Sequence, residues 1–342
     1  MSTRVVLMGD PTYFSIRAGA NPHTRTTWGR RKSVDRNKAI IQWHAFAQLL
    51  CRFGVRVLVV PPDPTLTGLV YPANAGFLYP LDAALRSQEK VFYLANLLPS
   101  RAGEQPVYQE FLEKCGFRPA HVHAQCEGEA DFFPVGDRYV FTYGQVETQR
   151  FRLRLGLPPY KRVYGFRSEI GALAELQQLV TATEIIALEL CDEAYYHGDT
   201  VLCAFGPERR FLLAYLEALM PSAAQRLRAL WKEDAIPLSS ADAALYAANS
   251  FTLAQNGTHA LFMPGGVSER LQAQVRERGV EPITIDVSEF LRKGGGAVKC
   301  MIGDLGPEEE SGLTPDQLAF RHARDYRALF PSAETRIYRS PF

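Results

Sequence analysis

No apolar run in this sequence approaches the roughly 18 residues that a membrane helix needs. The opening stretch from Met1 to Asp10 has too short an apolar segment for a secretory signal, and Val5–Leu7 within it reads as a buried strand. The six cysteines (Cys51, Cys115, Cys126, Cys191, Cys203, Cys300) form no CxxC pair, so zinc-site spacing is missing. Their scatter suggests reduced thiols, up to five of them plain buried apolar residues, in a cytoplasmic protein. Charge of one sign is not in excess: 38 Lys and Arg face 37 Asp and Glu, a formal net charge of +1. That balance gives no global pull toward nucleic acid or a membrane surface. Neither a GxGxxG fingerprint nor a Walker loop is present, which removes the support for a nucleotide-binding enzyme. No Ser/Gly linker or low-complexity segment interrupts the chain, so residues 1–342 read as a single domain.

What is present is a soluble globular composition, 46% hydrophobic and 22% charged, with ample material for a core. The hydrophobic period alternates along the chain. Arg36–Phe53 carries Ile40, Trp43, Ala47 and Leu50 at helical steps, and Val55–Val60 follows as a strand ended by Pro61 and Pro62. Ser268–Arg278 is a second amphipathic helix, with Ile283–Val287 as its following strand. The class is mixed α/β. A turn followed by an apolar strand recurs near Gly76, Asp137, Gly198, Gly257 and Gly296, at spacings of 61, 61, 59 and 39 residues. Five similar units around one centre would produce such a repeat and would bring the polar residues at the strand starts together; ordinary α/β chains also repeat turns and strands.

Four constellations carry chemistry. In the run from Lys293 to Met301, three consecutive glycines (Gly294, Gly295, Gly296) allow close backbone approach, and Cys300 follows them. A cysteine beside such a turn is a candidate nucleophile, exposed by the tight backbone and favoured as thiolate by nearby amides and cations; a core cysteine after a glycine turn is the plainer alternative. In Tyr196-His197-Gly198-Asp199-Thr200, a strand would place His197 and Asp199 on one face, as a proton shuttle and a cation-binding carboxylate. A metal could use that pair, but no third and fourth ligand has convincing spacing, and His121-x-His123 is the sole rival. In Cys126–Phe133, an extended backbone would align Glu127, Glu129 and Asp131, which repel unless a cation such as a guanidinium lies between them. A solvated acidic edge is the alternative. Finally, Asn74, Asn21 and Arg167 sit in turn-rich strings where an amide can orient a planar ligand and an arginine can grip a carboxylate.

Together these strings resemble the guanidino-group-modifying enzymes of the pentein superfamily: arginine deiminases, dimethylarginine dimethylaminohydrolases, arginine dihydrolases and amidinotransferases. The resemblance runs from about residue 5 to about residue 306 and is most specific in Ser288–Met301. It implies a five-bladed α/β propeller with pseudo-fivefold symmetry. It further implies that Cys300 attacks the guanidinium carbon of arginine or a related compound, and that His197 protonates the leaving amine and then activates water. Glu127 or Glu129, Asp131 and Asp199 would hold the cation, and Arg167, with Asn21, the amino-acid end of the substrate. No metal or organic cofactor is implied. An amidinotransferase passing the amidino group to an amine, and a non-catalytic binding protein of the same fold, are the alternatives.

The sequence also departs from the family pattern. Asn74 stands where deiminases carry aspartate, and Gly198 replaces a bulkier residue between His197 and Asp199. Ala130 replaces a common glycine, which leaves the choice between Glu127 and Glu129 open. Residues 144–164, with Arg150, Arg152, Arg154 and the Pro158-Pro159 pair, look like an insertion. The chain also continues past the family pattern over 307–342; either segment could cover the site or join copies in a homo-oligomer.

Overall fold

A computed structural model describes residues 3–17, 21–147, 149–153, 155–181, 183–255 and 257–331. Arg154 and the last 11 residues of the C-terminal segment therefore lie outside the described residues. The chain repeats one unit five times. Each unit is an antiparallel strand pair whose second strand leads through a helix to a third strand, parallel to the second. Only the parallel step needs a crossover, which is why a helix sits at that point in each unit.

The two ends of the chain share the first unit. Gly303–Glu309 pairs antiparallel with Thr3–Gly9, and helix Arg36–Arg52 leads to the parallel strand Arg56–Val60. The second unit contains Gly76–Tyr79, Val91–Leu94, helix Gln105–Lys114 and Arg118–His121. The third contains Phe132–Val135, Arg138–Tyr143, helix Ala172–Leu179 and Ile185–Glu189. Leu202–Phe205, Phe211–Ala214, helix Pro221–Trp231 and Ala235–Pro237 make the fourth. Phe251–Gln255, Thr258–Pro264, helix Glu269–Arg276 and Glu281–Ile285 make the fifth.

The local reasons are those of the sequence pattern. Val5, Val6 and Leu7 are at most 1% exposed, as a strand covered on both faces requires. Helix Arg36–Arg52 turns Trp43, Phe46, Ala47 and Leu50 inward, and the Asp35 side chain caps its start by accepting from the Lys38 N–H at 3.1 Å. Each fully buried side chain of this size contributes about 1.5–3 kcal/mol. The Ser268 hydroxyl caps the helix of the fifth unit, accepting from the Leu271 N–H at 3.2 Å. Phe46 and Phe53 of the first unit meet Phe262 of the fifth, at ring centroids 6.4 and 5.2 Å apart.

The repeat differs from the one read in the sequence. First strands begin at residues 76, 132, 202, 251 and 303, whereas Asp137 and Gly257 occupy hairpin turns inside their units. The reading mixed two kinds of turn, because both pair a polar or glycine residue with an apolar strand.

Within the third unit, Arg150–Leu153 and Tyr160–Val163 form a hairpin that joins no other sheet among the described residues. Beyond the last strand, helices Pro315–Arg324 and Tyr326–Leu329 fold back onto the first two units. Tyr326 packs on Trp43, Phe320 on Phe111, and the Arg327 guanidinium donates to the Cys51 carbonyl. This part of the C-terminal segment covers the outer helices; none of its residues lines the cavity that contains Cys300.

Candidate functional site

The site is built from the residues just before each unit's first strand. Asn74, Asp131, Asp199, Asn249 and Cys300 each stand one to three residues ahead of it, and the fold brings all five into one buried cluster. Asn74, Glu127, Arg167, Tyr196, His197, Cys300, Asn21 and Arg101 line a cavity of about 160 Å³ in front of that cluster.

The three glycines act by proximity. A Cβ on Gly294 would overlap the Tyr71 hydroxyl at 1.8 Å. Gly295 has φ +80° and would set a Cβ 2.8 Å from the Asn21 side-chain oxygen. Asn21 in turn donates to the Gly294 carbonyl at 2.9 Å and to the Tyr196 hydroxyl at 3.1 Å. The glycine run thus lets the Cys300 loop close against Tyr71 and Asn21, and Cys300 itself is 3% exposed, in the cavity wall.

Two groups hold the Cys300 sulfur. Asn249, fully buried, donates its side-chain amide to Sγ at 3.1 Å, and its oxygen accepts the N–H groups of Ala297 and Cys300 at 3.0 and 3.1 Å. Asp199 Oδ2 lies 3.4 Å from Sγ. Burial and the Asp199 carboxylate together push the thiol well above its ordinary pKa. This corrects the expectation that nearby cations favour thiolate: the charged group against the sulfur is the Asp199 carboxylate. Burial also raises the Asp199 carboxyl, to about 6, against the pull of His197 and Lys299.

His197 is held on both ring nitrogens. Nδ1 lies 3.0 Å from Asp131 Oδ2, and Nε2 lies 3.3 Å from Glu127 Oε2 and 3.1 Å from the Asn74 amide nitrogen. Burial alone would lower its pKa, but Asp131 and Glu127 override it and raise the ring to about 9. Burial would likewise raise Glu127, yet His197, Arg101 and Arg167 hold it down to about 2. Asp131 is fully engaged behind the ring. It accepts from Thr142 Oγ1, Ser168 Oγ and the Gly198 N–H at 2.9, 2.7 and 2.8 Å, which fixes the imidazole in place.

Asn74 has its orientation imposed. Arg101 Nη1 donates to its oxygen at 2.7 Å, so the amide N–H₂ faces His197 Nε2. A neutral Nε2 accepts from the Asn74 amide, whereas a protonated ring is held by ionic attraction to Glu127 Oε2, 3.3 Å from Nε2. The ring therefore has a partner in either protonation state.

Arg101 is itself clamped by buried Glu104, through Nε and Nη2 at 2.9 and 2.6 Å. Arg167 lies with its guanidinium carbon 4.9 Å from the Tyr196 ring centre. The two arginines occupy matching places in successive units, shortly before the helices at Gln105 and Ala172.

Two expected geometries are corrected. Glu127–Asp131 is not an extended strand: Gly128–Ala130 form a 3₁₀ turn, so alternate carboxylates diverge. Glu129 turns away from the cavity, 2.8 Å from Lys299 Nζ, and accepts the Asp304 N–H at 2.8 Å. Asp304 in turn pairs with Arg4. Glu127 is the glutamate of this segment that faces the cavity. His197 and Asp199 are not on a strand either. A 3₁₀ turn at Gly198–Thr200 sends the imidazole toward Glu127 and the carboxylate toward Cys300. Asp131 and Asp199 stand behind the cavity wall, and neither lines it.

Asn249 and Arg101 escaped the sequence reading. Asn249 heads the fifth unit, but the repeat marker was placed one strand later, at Gly257. Arg101 was legible by analogy with Arg167 once the units are aligned. Gly198 now has a reason: a Cβ there would meet Thr142 Oγ1 at 2.1 Å, and Thr142 is bound to Asp131.

Near Cys300 and His197, two buried carboxylate oxygens find no hydrogen-bond donor among the described residues, Glu127 Oε2 and Asp199 Oδ1. Glu127 Oε2 is close enough to His197 for ionic attraction but is not aligned as a hydrogen bond. Buried anionic oxygens near a thiol and an imidazolium suit a planar cation carrying several N–H groups. No group of three or more potential metal ligands gathers among the described residues, His121 and His123 included.

Comparison with known proteins points the same way. A family profile described as eukaryotic N,N dimethylarginine dimethylhydrolase matches residues 165–306. An N(G),N(G)-dimethylarginine dimethylaminohydrolase of Mycobacterium tuberculosis is 30% identical over 305 residues, covering 89% of this chain and 87% of that protein. The bifunctional arginine dihydrolase/ornithine cyclodeaminase AgrE of Nostoc is 26% identical over 88% of this chain, which spans 38% of AgrE. Among solved structures, a substrate-bound variant of the N-terminal domain of ArgZ, a cyanobacterial arginine dihydrolase, superposes with a TM-score of 0.72. It is 23% identical, covering 89% of this chain and 99% of that one. A dimethylarginine dimethylaminohydrolase variant carrying an S-methyl-L-thiocitrulline adduct gives 0.60 at 17% identity, over 89% of this chain and 100% of that one.

Proposed function

Because the chain belongs to the dimethylarginine dimethylaminohydrolase family of guanidino-group-modifying pentein enzymes, we propose that it hydrolyses a C–N bond of arginine or a closely related guanidino compound through a covalent intermediate on Cys300. The observation that carries this reading is the meeting of Cys300, His197 and Glu127 on one buried cavity, with unsatisfied carboxylate oxygens beside them.

The chemistry follows from the charges. The free thiol is held protonated by burial and Asp199. A guanidinium entering beside Glu127 and Cys300 brings a positive charge next to the sulfur, offsets the field of Asp199 behind it and favours loss of the thiol proton to solvent. The thiolate attacks the guanidinium carbon. The C–N bond to the leaving nitrogen breaks as His197 delivers its Nε2 proton, releasing ammonia or an amine and leaving an S-amidino enzyme. The neutral ring then accepts a proton from water. The hydroxide adds to the same carbon, the C–S bond breaks, and a ureido product leaves as Cys300 regains thiolate form. Glu127 orients the planar cation from the cavity wall, Asp199 attracts it from behind the sulfur, Asp131 fixes the ring, and Asn249 fixes the sulfur. Arg167 and Arg101, with Asn21, face the carboxylate end of the substrate. Glu129 has no part in these steps.

The same reading takes the five units as a closed five-bladed propeller with the site at its hub. The sharing of the first unit by both chain ends, and the contact of Phe46 and Phe53 with Phe262, support closure. Six cysteines without a disulfide suit a cytoplasmic protein.

The test is a panel of guanidino compounds, with ornithine, citrulline, urea, carbon dioxide, ammonia and alkylamines read separately, and with mass spectrometry of the quenched enzyme. Ammonia or amine release together with a substrate-derived mass on Cys300 supports the reading. Cys300→Ala turning over at the wild-type rate, or a strict requirement for an amine acceptor, overturns it.

A further inference from the structure

Two neighbouring segments concentrate positive charge. Residues 22–34 and 150–163 together hold nine Lys and Arg and no Asp or Glu, in a chain whose formal net charge is +1. The rest of the chain therefore carries an excess of acids. The fold sets the two segments side by side: the Tyr160 hydroxyl donates to the Trp28 carbonyl at 3.3 Å, and both segments line one recess of about 310 Å³. Nearby acids offset only part of the charge. Glu147 pairs with Arg150 at 2.7 Å and lies 3.7 Å from Arg152, and Asp192 and Glu193 line the recess. Within the hairpin, Arg152 and Lys161 stand directly opposite each other, a like-charge pair that costs stability unless an anionic surface faces it.

The same patch carries apolar side chains. Trp28, Phe151, Leu153, Leu155 and Leu157 are 60–103% exposed, and no other large hydrophobic side chain among the described residues is as exposed. The hairpin is the reason. Its strands pair only with each other among the described residues, so the segment projects with its leucines in solvent. Clustered exposed apolar residues of this kind mark an interaction site.

Charge and shape select the partner. A second copy of the chain would set one cationic patch against another. Nucleic acid suits the cations and the aromatic rings but offers nothing to three leucines at a hairpin tip. A bilayer with anionic headgroups takes both groups: leucines and aromatic rings enter the boundary between headgroups and acyl chains, and Lys and Arg stay at the level of the phosphates. We propose that this hairpin and the Trp28 loop dock the protein reversibly on an anionic membrane surface. The excess of acids elsewhere disfavours docking through other faces. One hairpin tip gives shallow attachment that salt weakens. The proposal is independent of the chemistry assigned to Cys300.

Co-sedimentation of the full chain with vesicles tests it. Phosphatidylcholine vesicles are compared with vesicles that also contain about 30% phosphatidylglycerol. The expected result is binding to the second kind alone, lost as salt rises from about 0.1 M to about 0.5 M. Leu153→Ser combined with Leu155→Ser should weaken binding at least about ten-fold. Arg152→Gln combined with Lys161→Gln should weaken it about five-fold for each charge removed. Ile41→Ser, on the outer helix of the first unit, should leave it unchanged. All five side chains are exposed, and thermal melts check that the variants are folded. Pelleting with neither kind of vesicle, or equally with both, overturns the proposal. So does binding that the leucine pair does not weaken, because charge alone then accounts for it. Sedimentation velocity without lipid and titration with a single-stranded oligonucleotide test the rivals. A dimer that dissociates when the leucines are replaced assigns the patch to a second copy and overturns the proposal. So does an oligonucleotide bound more tightly than the anionic vesicles, which assigns the patch to nucleic acid.

Discussion

The side-chain amide of Asn249 donates to the sulfur of Cys300 at 3.1 Å, while its oxygen accepts the backbone N–H of that same cysteine at 3.1 Å. One buried residue therefore fixes both the position of the nucleophile and the loop that carries it. Replacement by alanine leaves two backbone donors without an acceptor and lets the sulfur drift. Asn249→Ala is expected to lower kcat by about 10²-fold, with a smaller change in KM, because small displacements of a reacting atom cost that much. Steady-state kinetics check it, and an unchanged kcat would show that Asn249 serves only the fold.

Asp199 is expected to act in opposite senses on the free enzyme and on turnover. Its carboxylate helps keep the Cys300 thiol protonated. Asp199→Asn should speed alkylation of Cys300 by iodoacetamide at neutral pH, about ten-fold for each unit by which the thiol pKa falls. The same change should slow turnover by removing a cation partner. Because the Asp199 carboxyl titrates near 6, the difference in alkylation should fade below that pH. Parallel loss of both rates would contradict this assignment.

His197 links the site to stability. Its folded-state pKa, about 9, lies above the ordinary 6.5, so the folded state holds the proton more tightly than the unfolded chain. The resulting stabilisation is complete below about pH 6.5 and disappears as pH rises through about 9. Urea midpoints should fall across that window for the wild type and fall less for His197→Asn. Glu127 has the opposite sign: its carboxyl sits near 2 instead of 4.5, so its contribution is present above about 4.5 and is lost as pH drops through about 2. An equal fall in His197→Asn would assign the effect to other groups.

Arg101 has two duties that a variant can separate. Arg101→Gln removes a cation facing the substrate and should raise KM by about ten- to a hundred-fold, the value of a charge-assisted hydrogen bond. It also frees the Asn74 amide, which Arg101 now orients toward His197 Nε2. The pH profile of kcat should therefore shift in Arg101→Gln but not in Arg167→Gln. Identical profiles in the two variants would leave Arg101 as a substrate clamp alone.

Gly198 is a steric requirement. Gly198→Ala drives a methyl group into Thr142 and should destabilise by about 1–3 kcal/mol, as overpacking does. Thr142→Ala removes the two nearest atoms, so the double variant should recover part of the loss in a thermal double-mutant cycle. Additive losses would place the cause elsewhere.

The sequence made some of this legible and hid the rest for definite reasons. Strands such as Thr3–Gly9 and helices such as Arg36–Arg52 follow from hydrophobic period and capping, which are local. The boundaries moved by only a residue or two: helix Ser268–Arg278 became Glu269–Arg276, with Ser268 as its cap, and the following strand became Glu281–Ile285. The acidic segment misled because alternation predicts a shared face only for extended backbone, and Gly128, at φ +64°, turns the chain instead. Asn249 escaped because an asparagine before a strand is usually a turn residue, and only its burial against Cys300 marks it as more.

By itself the sequence determined the α/β alternation, the chemical types available and the motifs around Cys300 and His197, since these depend on residue identity and short-range spacing. Which side chains meet was decided by the tertiary structure alone. Asn74, Asp131, Asp199, Asn249 and Cys300 come from five separate units and gather around His197 and the Cys300 sulfur only because the units meet at one point. The same packing separates Glu129 from Glu127, two residues away in the chain, and surrounds the thiol with a carboxylate and hydrocarbon, so its charge state depends on neighbours more than a hundred residues distant. Local chemistry names the groups, but long-range packing sets their distances and their dielectric surroundings, and electrostatic energies depend on both.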